Sequence, residues 1–238
     1  MKPSPLNVID AGRVGYERGL AWQAELEQKR LAREIPDQLL LLEHPSVITL
    51  GHRAAEGHIL VSPDVLRAQG IEVHRVNRGG DVTYHGPGQI VVYAVAHLDD
   101  KCIRVADFVW ALEEAMIRTA AAVGIDAGRQ EKRPGVFVGQ DKVGAVGIHV
   151  SRGVTTHGLA LNVDPRLEHF DLIVPCGLRD HGVTSLQRLV QDRLRQEDLA
   201  SRLVSHLTEL LCWRPLEALS RSTERLGPGP GVAMKTVG

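Results

Sequence analysis

One cysteine closes an apolar run in Ile173-Val174-Pro175-Cys176-Gly177, between a proline and a glycine. Proline fixes its own φ and pushes the preceding residue toward extended backbone, while glycine tolerates angles that other residues avoid, so such a turn can aim the Cys176 thiol into a cleft. A thiol held there is a candidate nucleophile. Cysteine is also a common small buried hydrophobe, and the turn alone leaves both readings open. Two other polar side chains stand on strand-like segments ahead of the turn: Lys142 opens Val143 to Val150, and His157 lies in Thr155 to Val163. Taken singly, Lys142 reads as a solvated strand end and His157 as a hydrogen-bonded structural histidine.

The most unusual stretch is Arg78-Gly79-Gly80-Asp81-Val82-Thr83-Tyr84-His85-Gly86-Pro87-Gly88-Gln89. Its glycines and proline allow backbone to approach a ligand closely, and they equally suit a tight β-hairpin. The stretch has neither GxxxxGK[ST] spacing nor GxGxxG opening a helix, so it gives no specific support for phosphate binding.

Around these segments the pattern alternates strands and helices. A short strand is expected at Asn7 to Asp10, then a helix from Tyr16 to Arg33 with Tyr16, Leu20, Ala24 and Leu31 near one face. The leucine run in 38–43 suits a strand buried on both faces. Ser62-Pro63-Asp64 reads as an N-cap with proline at the first helical position, opening a short helix that ends at Gly70. Strands are expected at 71–76 and from Ile90 to Ala96, and a helix from Val105 to Val123 stopped by Gly124. Val105, Phe108, Val109, Leu112, Met116 and Ala120 mark that helix's buried side. Leu199, Leu203, Leu207 and Leu211 recur every four residues and predict a C-terminal amphipathic helix. The basic side chains of Arg129, Lys132 and Arg133 read as a solvated loop or as a dock for an acidic partner.

Composition narrows the class. With 43% hydrophobic and 24% charged residues in 238, the chain is an ordinary globular one, expected as a single domain over 1–215 with a flexible Gly/Pro-rich tail over 216–238. No apolar run approaches the ~20 residues of a membrane span, and the start lacks a signal-peptide pattern, so a cytoplasmic location is expected. A net charge of -1 gives no global field for nucleic acid or anionic lipid. The three cysteines are widely spaced and form no CxxC pair, and the eleven histidines include no HExxH, so neither a disulfide framework nor a metal site is expected.

Taken together, the 78–89 stretch, Lys142 with Ala145-Val146-Gly147, and His157-Gly158-Leu159-Ala160-Leu161-Asn162 leading to Pro175-Cys176-Gly177 resemble the lipoyl(octanoyl) transferases. Leu42-Glu43-His44-Pro45, Thr49-Leu50-Gly51 and Thr184-Ser185-Leu186 share the likeness, which runs from about residue 38 to 190. Ala94 stands where proline is common in that family, and His149 where arginine often occurs. The resemblance implies an α/β fold like the catalytic domains of biotin and lipoate protein ligases, with mixed β-sheets flanked by helices around an acyl tunnel. It implies transfer of an octanoyl group from octanoyl-acyl carrier protein to the acceptor lysine of lipoyl domains, those of 2-oxoacid dehydrogenase E2 subunits and of the glycine cleavage H protein. No cofactor is implied. In this scheme Cys176 carries the acyl group as a thioester and Lys142 supports the thiol chemistry. Residues Arg78 to His85, Ala145 to Gly147 and Gly158 to Ala160 map onto substrate-binding segments, with His157 as possible support.

The chemistry is coherent. An unperturbed thiol has a pKa near 8.5, so only about 3% is thiolate at pH 7, and a nearby ammonium favours the charged form. Glycines 79, 80, 86, 88, 147 and 158 are expected to leave room for an extended acyl chain, and free backbone N-H groups to polarise its carbonyl. The alternatives are an ATP-dependent lipoate-protein ligase, a cysteine hydrolase pairing Cys176 with His157 or His181, and a non-catalytic acyl-carrier binding module.

Overall fold

The computed structural model describes residues 3–131, 133–174 and 182–217. Cys176 and His181 lie outside the described residues, as do Lys132 and residues 218–238. Strands β1 (Ser4–Arg13), β2 (Asp37–Glu43), β3 (Val47–Leu50), β4 (Glu72–Arg75), β5 (Val82–His85) and β6 (Gln89–Val95) fill the first part of the chain. Strands β7 (Gly128–Gln130), β8 (Arg133–Val138), β9 (Asp141–Ser151), β10 (Val154–Asn162) and β11 (Trp213–Pro215) fill the second. The helices are α1 (Tyr16–Leu31), α2 (Pro63–Ala68), α3 (Leu98–Lys101), α4 (Val105–Ala121), α5 (Leu186–Leu189) and α6 (Gln196–Leu210).

Eight strands form a mixed sheet in the order β11-β1-β2-β6-β10-β9-β8-β7, and β4-β3-β5 form a small second sheet. The leucine run explains the middle of the large sheet. Successive side chains of a strand point to opposite faces, so Leu40 and Leu42 meet Trp22 and Leu26 of α1 while Leu39 and Leu41 meet the α4 and α6 side. There Phe108, Leu112 and Met116 of α4 pack with Leu199, Leu203 and Leu207 of α6. Each fully buried side chain of this kind contributes about 1.5–3 kcal/mol. Ser62 caps α2 through Val65 N-H, with Pro63 at its first position and Gly70 at φ +65° beyond its end, as the sequence indicates. No helix among the described residues is long and apolar enough to cross a membrane.

Two expectations are corrected. Helix α1 buries Tyr16, Gly19, Trp22, Gln23, Leu26 and Arg30, while Ala24 is exposed and Leu20 only half-buried. The inward face is polar at two positions because each has a buried partner: Gln23 Oε1 accepts from His157 N-H at 2.6 Å and Arg30 Nε donates to Asp37 at 2.8 Å. Apolar spacing therefore marks only part of the buried face, with Tyr16 buried and Leu31 packed at its edge. The 78–89 stretch is no hairpin either, since β5 pairs with β3 in the small sheet and β6 with β2 and β10 in the large one. Its turn carries the chain from one sheet to the other. Gly88 sits there at φ +92°, its N-H donating to Glu43 Oε2 at 2.8 Å, where a Cβ would run into the Asp164 carbonyl.

Asp37 joins the far end of the sheet to its surroundings. Its carboxylate is buried and accepts from Arg30 Nε at 2.8 Å, His97 N-H at 3.1 Å and Trp213 Nε1 at 2.7 Å, with Lys101 Nζ 3.7 Å away. Asp37→Ala strands these buried donors and is expected to destabilise the fold by about 3–5 kcal/mol in urea unfolding. A loss below about 1 kcal/mol would mean that the network is not holding β2, β11 and α1 together.

Candidate active site

A cavity of about 420 Å³ opens where the two sheets meet, lined by β5 of the small sheet, by β6, β9 and β10 of the large one, and by Tyr16 of α1 and Val109 of α4. That volume is ordinary for a small-molecule pocket. Arg78, Gly79, Gly80, Asp81, Val82, Thr83, Tyr84, His85, Lys142, Ala145, Val146, Gly147, His157, Gly158, Leu159 and Ala160 all line it. Segments far apart in sequence thus converge on one space. Cys176 lies outside the described residues, which end at Val174 before it and resume at Gly182. Val174 N-H donates to the His58 carbonyl at 2.9 Å, and Ile173 pairs with Ile59. Downstream, Val183 lines the cavity and forms a parallel bridge with Lys142, whose N-H donates to Gly182 O at 3.0 Å while Thr184 N-H donates to Lys142 O at 2.9 Å.

Lys142 is half-buried at the start of β9. Its Nζ donates to the Pro134 carbonyl at 3.0 Å and lies 5.2 Å from the centre of the Phe137 ring, a favourable cation-π position.

Polar residues behind the cavity wall fix the histidines. Gln89 Nε2 donates to Tyr84 O at 3.1 Å and to Asn162 Oδ1 at 2.9 Å, so Gln89 Oε1 must be the acceptor facing His85 Nδ1 at 3.1 Å. His85 therefore carries its proton on Nδ1 and leaves Nε2 as an acceptor. Asn162 Nδ2 donates in turn to Thr184 O at 3.0 Å, tying this chain to the segment paired with Lys142. Likewise His44 Nδ1-H donates to the Val14 carbonyl at 2.6 Å, so its Nε2 accepts from the Tyr93 hydroxyl at 2.6 Å. His157 Nε2 donates to Asn77 Oδ1 at 2.9 Å. Its backbone is left-handed at φ +58°, which costs on the order of 1 kcal/mol, and Gln23 holds it there through the His157 N-H.

These rings stay neutral. Burial, then the neighbouring His44 and the Arg78 charge, push His85 down to about 3. Burial, then Arg78 and His149, push His157 down to about 3, and burial pushes His44 down to about 4. Burial also raises Tyr16 to about 12. Arg78 is itself buried, with Nη2 donating to the Thr49 hydroxyl and carbonyl at 2.8 Å each and Nη1 to Gly79 O at 3.1 Å.

Gly79, Gly80, Gly147 and Gly158 line the cavity, and some of the glycines also admit close protein packing: Cβ atoms at Gly86 and Gly158 would strike the Tyr84 hydroxyl and the Val92 carbonyl, and one at Gly147 would lie 3.0 Å from Gly79 O. Gly79 N-H is bonded to Ile148 O at 2.8 Å and Gly88 N-H to Glu43, so neither is available as an oxyanion donor. In the basic cluster Arg129 pairs with Glu113 and Glu114 at 3.0 Å each and lies over the Trp110 ring, while Lys132 lies outside the described residues. Arg133 lies over Phe137. Residues that sequence reasoning missed include Tyr16, Asn77 and Gln23. Asn77 adjoins the glycine-rich stretch, whereas nothing local distinguishes Gln23.

The fold is similar to that of solved lipoate protein ligases. The bi-partite lipoate protein ligase of Thermoplasma acidophilum superposes with a TM-score of 0.70 at 18% identity, over 95% of this chain and 89% of that one. The chain belongs to the lipoyl protein ligase A/B catalytic domain family, whose profile matches residues 15–208, and within it to the octanoyltransferases, which are acyltransferases. It is 46% identical over 203 residues to the octanoyltransferase of Caldicellulosiruptor bescii, covering 84% of this chain and 89% of the relative. To that of Chloroflexus aggregans it is 44% identical over 218 residues, covering 90% and 99%.

The neutral histidines make stability depend on pH. An unfolded histidine titrates near 6.5, whereas His44, His85 and His157 resist protonation down to about 3–4 when folded. Between those values the unfolded chain binds more protons, so stability rises with pH through this window and falls on acidification. Urea unfolding is expected to show a loss of about 2 kcal/mol per histidine between about pH 7 and about pH 5. Equal stability at both pH values would show that these rings are not held neutral.

Proposed function

We propose that the chain moves an octanoyl group from octanoyl-acyl carrier protein to the acceptor lysine of lipoyl domains, through a thioester on Cys176. The catalytic unit is residues 1–215, with 216–238 as a tail. The observation that carries this reading is the convergence of the motif residues on one cavity, with the chain downstream of Cys176 hydrogen-bonded to Lys142. Family membership and the names of the relatives support the acyl group. The apolar side chains of Val82, Val91, Val146 and Leu159 suit an alkyl chain, and the uncharged His85 and His157 add no full charge beside it.

The steps balance without ATP. The Cys176 thiolate attacks the donor's thioester carbonyl, a carbon-sulfur bond to Cys176 forms, and the one to the phosphopantetheine sulfur breaks. That sulfur takes a proton from the Lys142 ammonium and leaves as a thiol. After the carrier departs, the neutral amine of the acceptor lysine attacks the enzyme thioester, a carbon-nitrogen bond forms, and Cys176 leaves as thiolate. The proton lost by the amine restores the Lys142 ammonium. Exchange of one thioester for another is nearly isoenergetic, and Lys142 serves as acid in one half and as base in the other. The acceptors are lipoyl domains of 2-oxoacid dehydrogenase E2 subunits and the glycine cleavage H protein.

Intact-protein mass spectrometry after mixing with octanoyl-acyl carrier protein, without ATP, should give a hydroxylamine-labile octanoyl adduct that added apo-lipoyl domain discharges. Cys176→Ser should give none. Lys142→Ala should slow adduct formation about 100-fold, and Lys142→Arg should keep the charge while losing the proton transfer. An adduct that persists in Cys176→Ser, or transfer only when ATP is added, would overturn the acyl-cysteine mechanism.

A further inference from the structure

Glu113 of α4 is 7% exposed and lies behind the cavity wall. Its Oε1 accepts from Gly135 N-H at 2.7 Å, and its Oε2 from Arg129 Nε at 3.0 Å. The other end of the same peptide unit is the Pro134 carbonyl, which accepts from Lys142 Nζ at 3.0 Å. A peptide is planar and trans, so its N-H and C=O point in opposite directions. Glu113 and Lys142 thus bind opposite ends of one plane. Holding the N-H on the helix side fixes where the carbonyl points on the Lys142 side.

The plane needs such a hold because Gly135 has φ +121°, where glycine turns readily. The fit around it is close: a Cβ at Gly135 would lie 2.5 Å from Gly144 O, 3.2 Å from Lys142 Cε and 3.3 Å from Lys142 Nζ. The Lys142 side chain therefore lies across this glycine. Arg129 completes the brace, pairing with Glu113 and Glu114 while stacked 4.7 Å from the centre of the Trp110 ring. Hydrogen bonds to an ionised carboxylate are shorter and stronger than neutral ones, which suits it to hold a backbone amide.

We infer that Glu113 is a positioning residue for acyl transfer, locking the Pro134–Gly135 peptide so that its carbonyl holds the Lys142 ammonium at the cavity. The inference rests on Lys142 taking part in the reaction as proposed above. It assigns Arg129 to support of Glu113.

The test separates positioning from a plain ion pair. Glu113→Gln keeps an oxygen at the right reach for Gly135 N-H but loses the charge. Glu113→Asp keeps the charge for Arg129 but falls one methylene short of the amide. Single-turnover octanoylation of Cys176 is expected to stay within about threefold of wild type in Glu113→Gln and to fall about 30-fold in Glu113→Asp and Glu113→Ala, with half-saturation by the carrier unchanged. Thermal stability should not follow that order. Wild-type rates in all three variants, or rates that simply track melting temperature, would overturn the inference. Should Glu113→Ala not fold, the Gln and Asp variants decide. Lys142→Ala run in parallel keeps the two readings apart: a wild-type rate there removes the role of Lys142 itself, whereas a slow Lys142→Ala beside a fast Glu113→Asp removes only that of Glu113.

Discussion

The cavity is built around a buried cation. Removing a guanidinium from water is tolerable only if its donors find acceptors, and Arg78 meets this with the hydroxyl and carbonyl of Thr49 and the carbonyl of Gly79. Those acceptors come from the small sheet and from the glycine-rich loop, so they have to crowd together. A Cβ at Gly51 would lie 2.8 Å from Arg78 Nη1 and 2.7 Å from Gly80 O, and one at Gly147 would lie 3.2 Å from Arg78 Cδ. Larger residues at either position would push the loop away from the guanidinium. The charge then acts on its neighbours, since it adds to burial in keeping His85 and His157 unprotonated. One interaction thereby sets the tight glycine packing and reinforces the neutral character that burial gives His85 and His157.

Neutral rings need fixed tautomers to be useful, and the fold supplies these from the layer behind them. Gln89 and Asn162 lie on adjacent strands β6 and β10, in register with each other, so their amides meet at 2.9 Å and can orient only one way. The same amides reach His85 on one side and Thr184 on the other. The register of two central strands therefore determines which nitrogen of His85 is the acceptor, and it also anchors the segment beside Lys142.

Much of this is legible in the sequence because the motif residues are the parts that special backbone and buried polar groups require. The glycine-rich stretch, Lys142 and the 157–162 strand stand out for that reason, and they do line one space. The leucine run and the four-residue repeat of α6 are plain consequences of burial. What local pattern misses is long-range pairing. Gln23 and Arg30 look like solvent-facing positions of α1 until His157 and Asp37, distant in sequence, come into contact with them. The turn at Gly88 looks like a hairpin because local signals do not tell which sheet each flanking strand joins. Arg129 looks free for the same reason, its partners Glu113 and Glu114 lying on the preceding helix.

The placement of Lys142 is the strongest case of a long-range constraint. In the pairing of β8 with β9, Val136 faces Gly144 but Phe137 faces Lys142, so Val143 is an extra residue without an opposite number. Such a bulge bends its strand and re-aims the side chains beside it. Here it lets Val143 be fully buried in the core while its neighbour Lys142 lies half-buried at the cavity. The bend is possible because Gly144 takes Met116 of α4 close against its backbone, where a Cβ would lie 2.6 Å from the sulfur. Helix α4 thus acts on Lys142 twice, through Met116 at the bulge and through Glu113 at the opposing turn. A lysine at the mouth of a regular strand would swing freely in water, whereas one set by a bulge, a ring and a fixed carbonyl is held at the cavity.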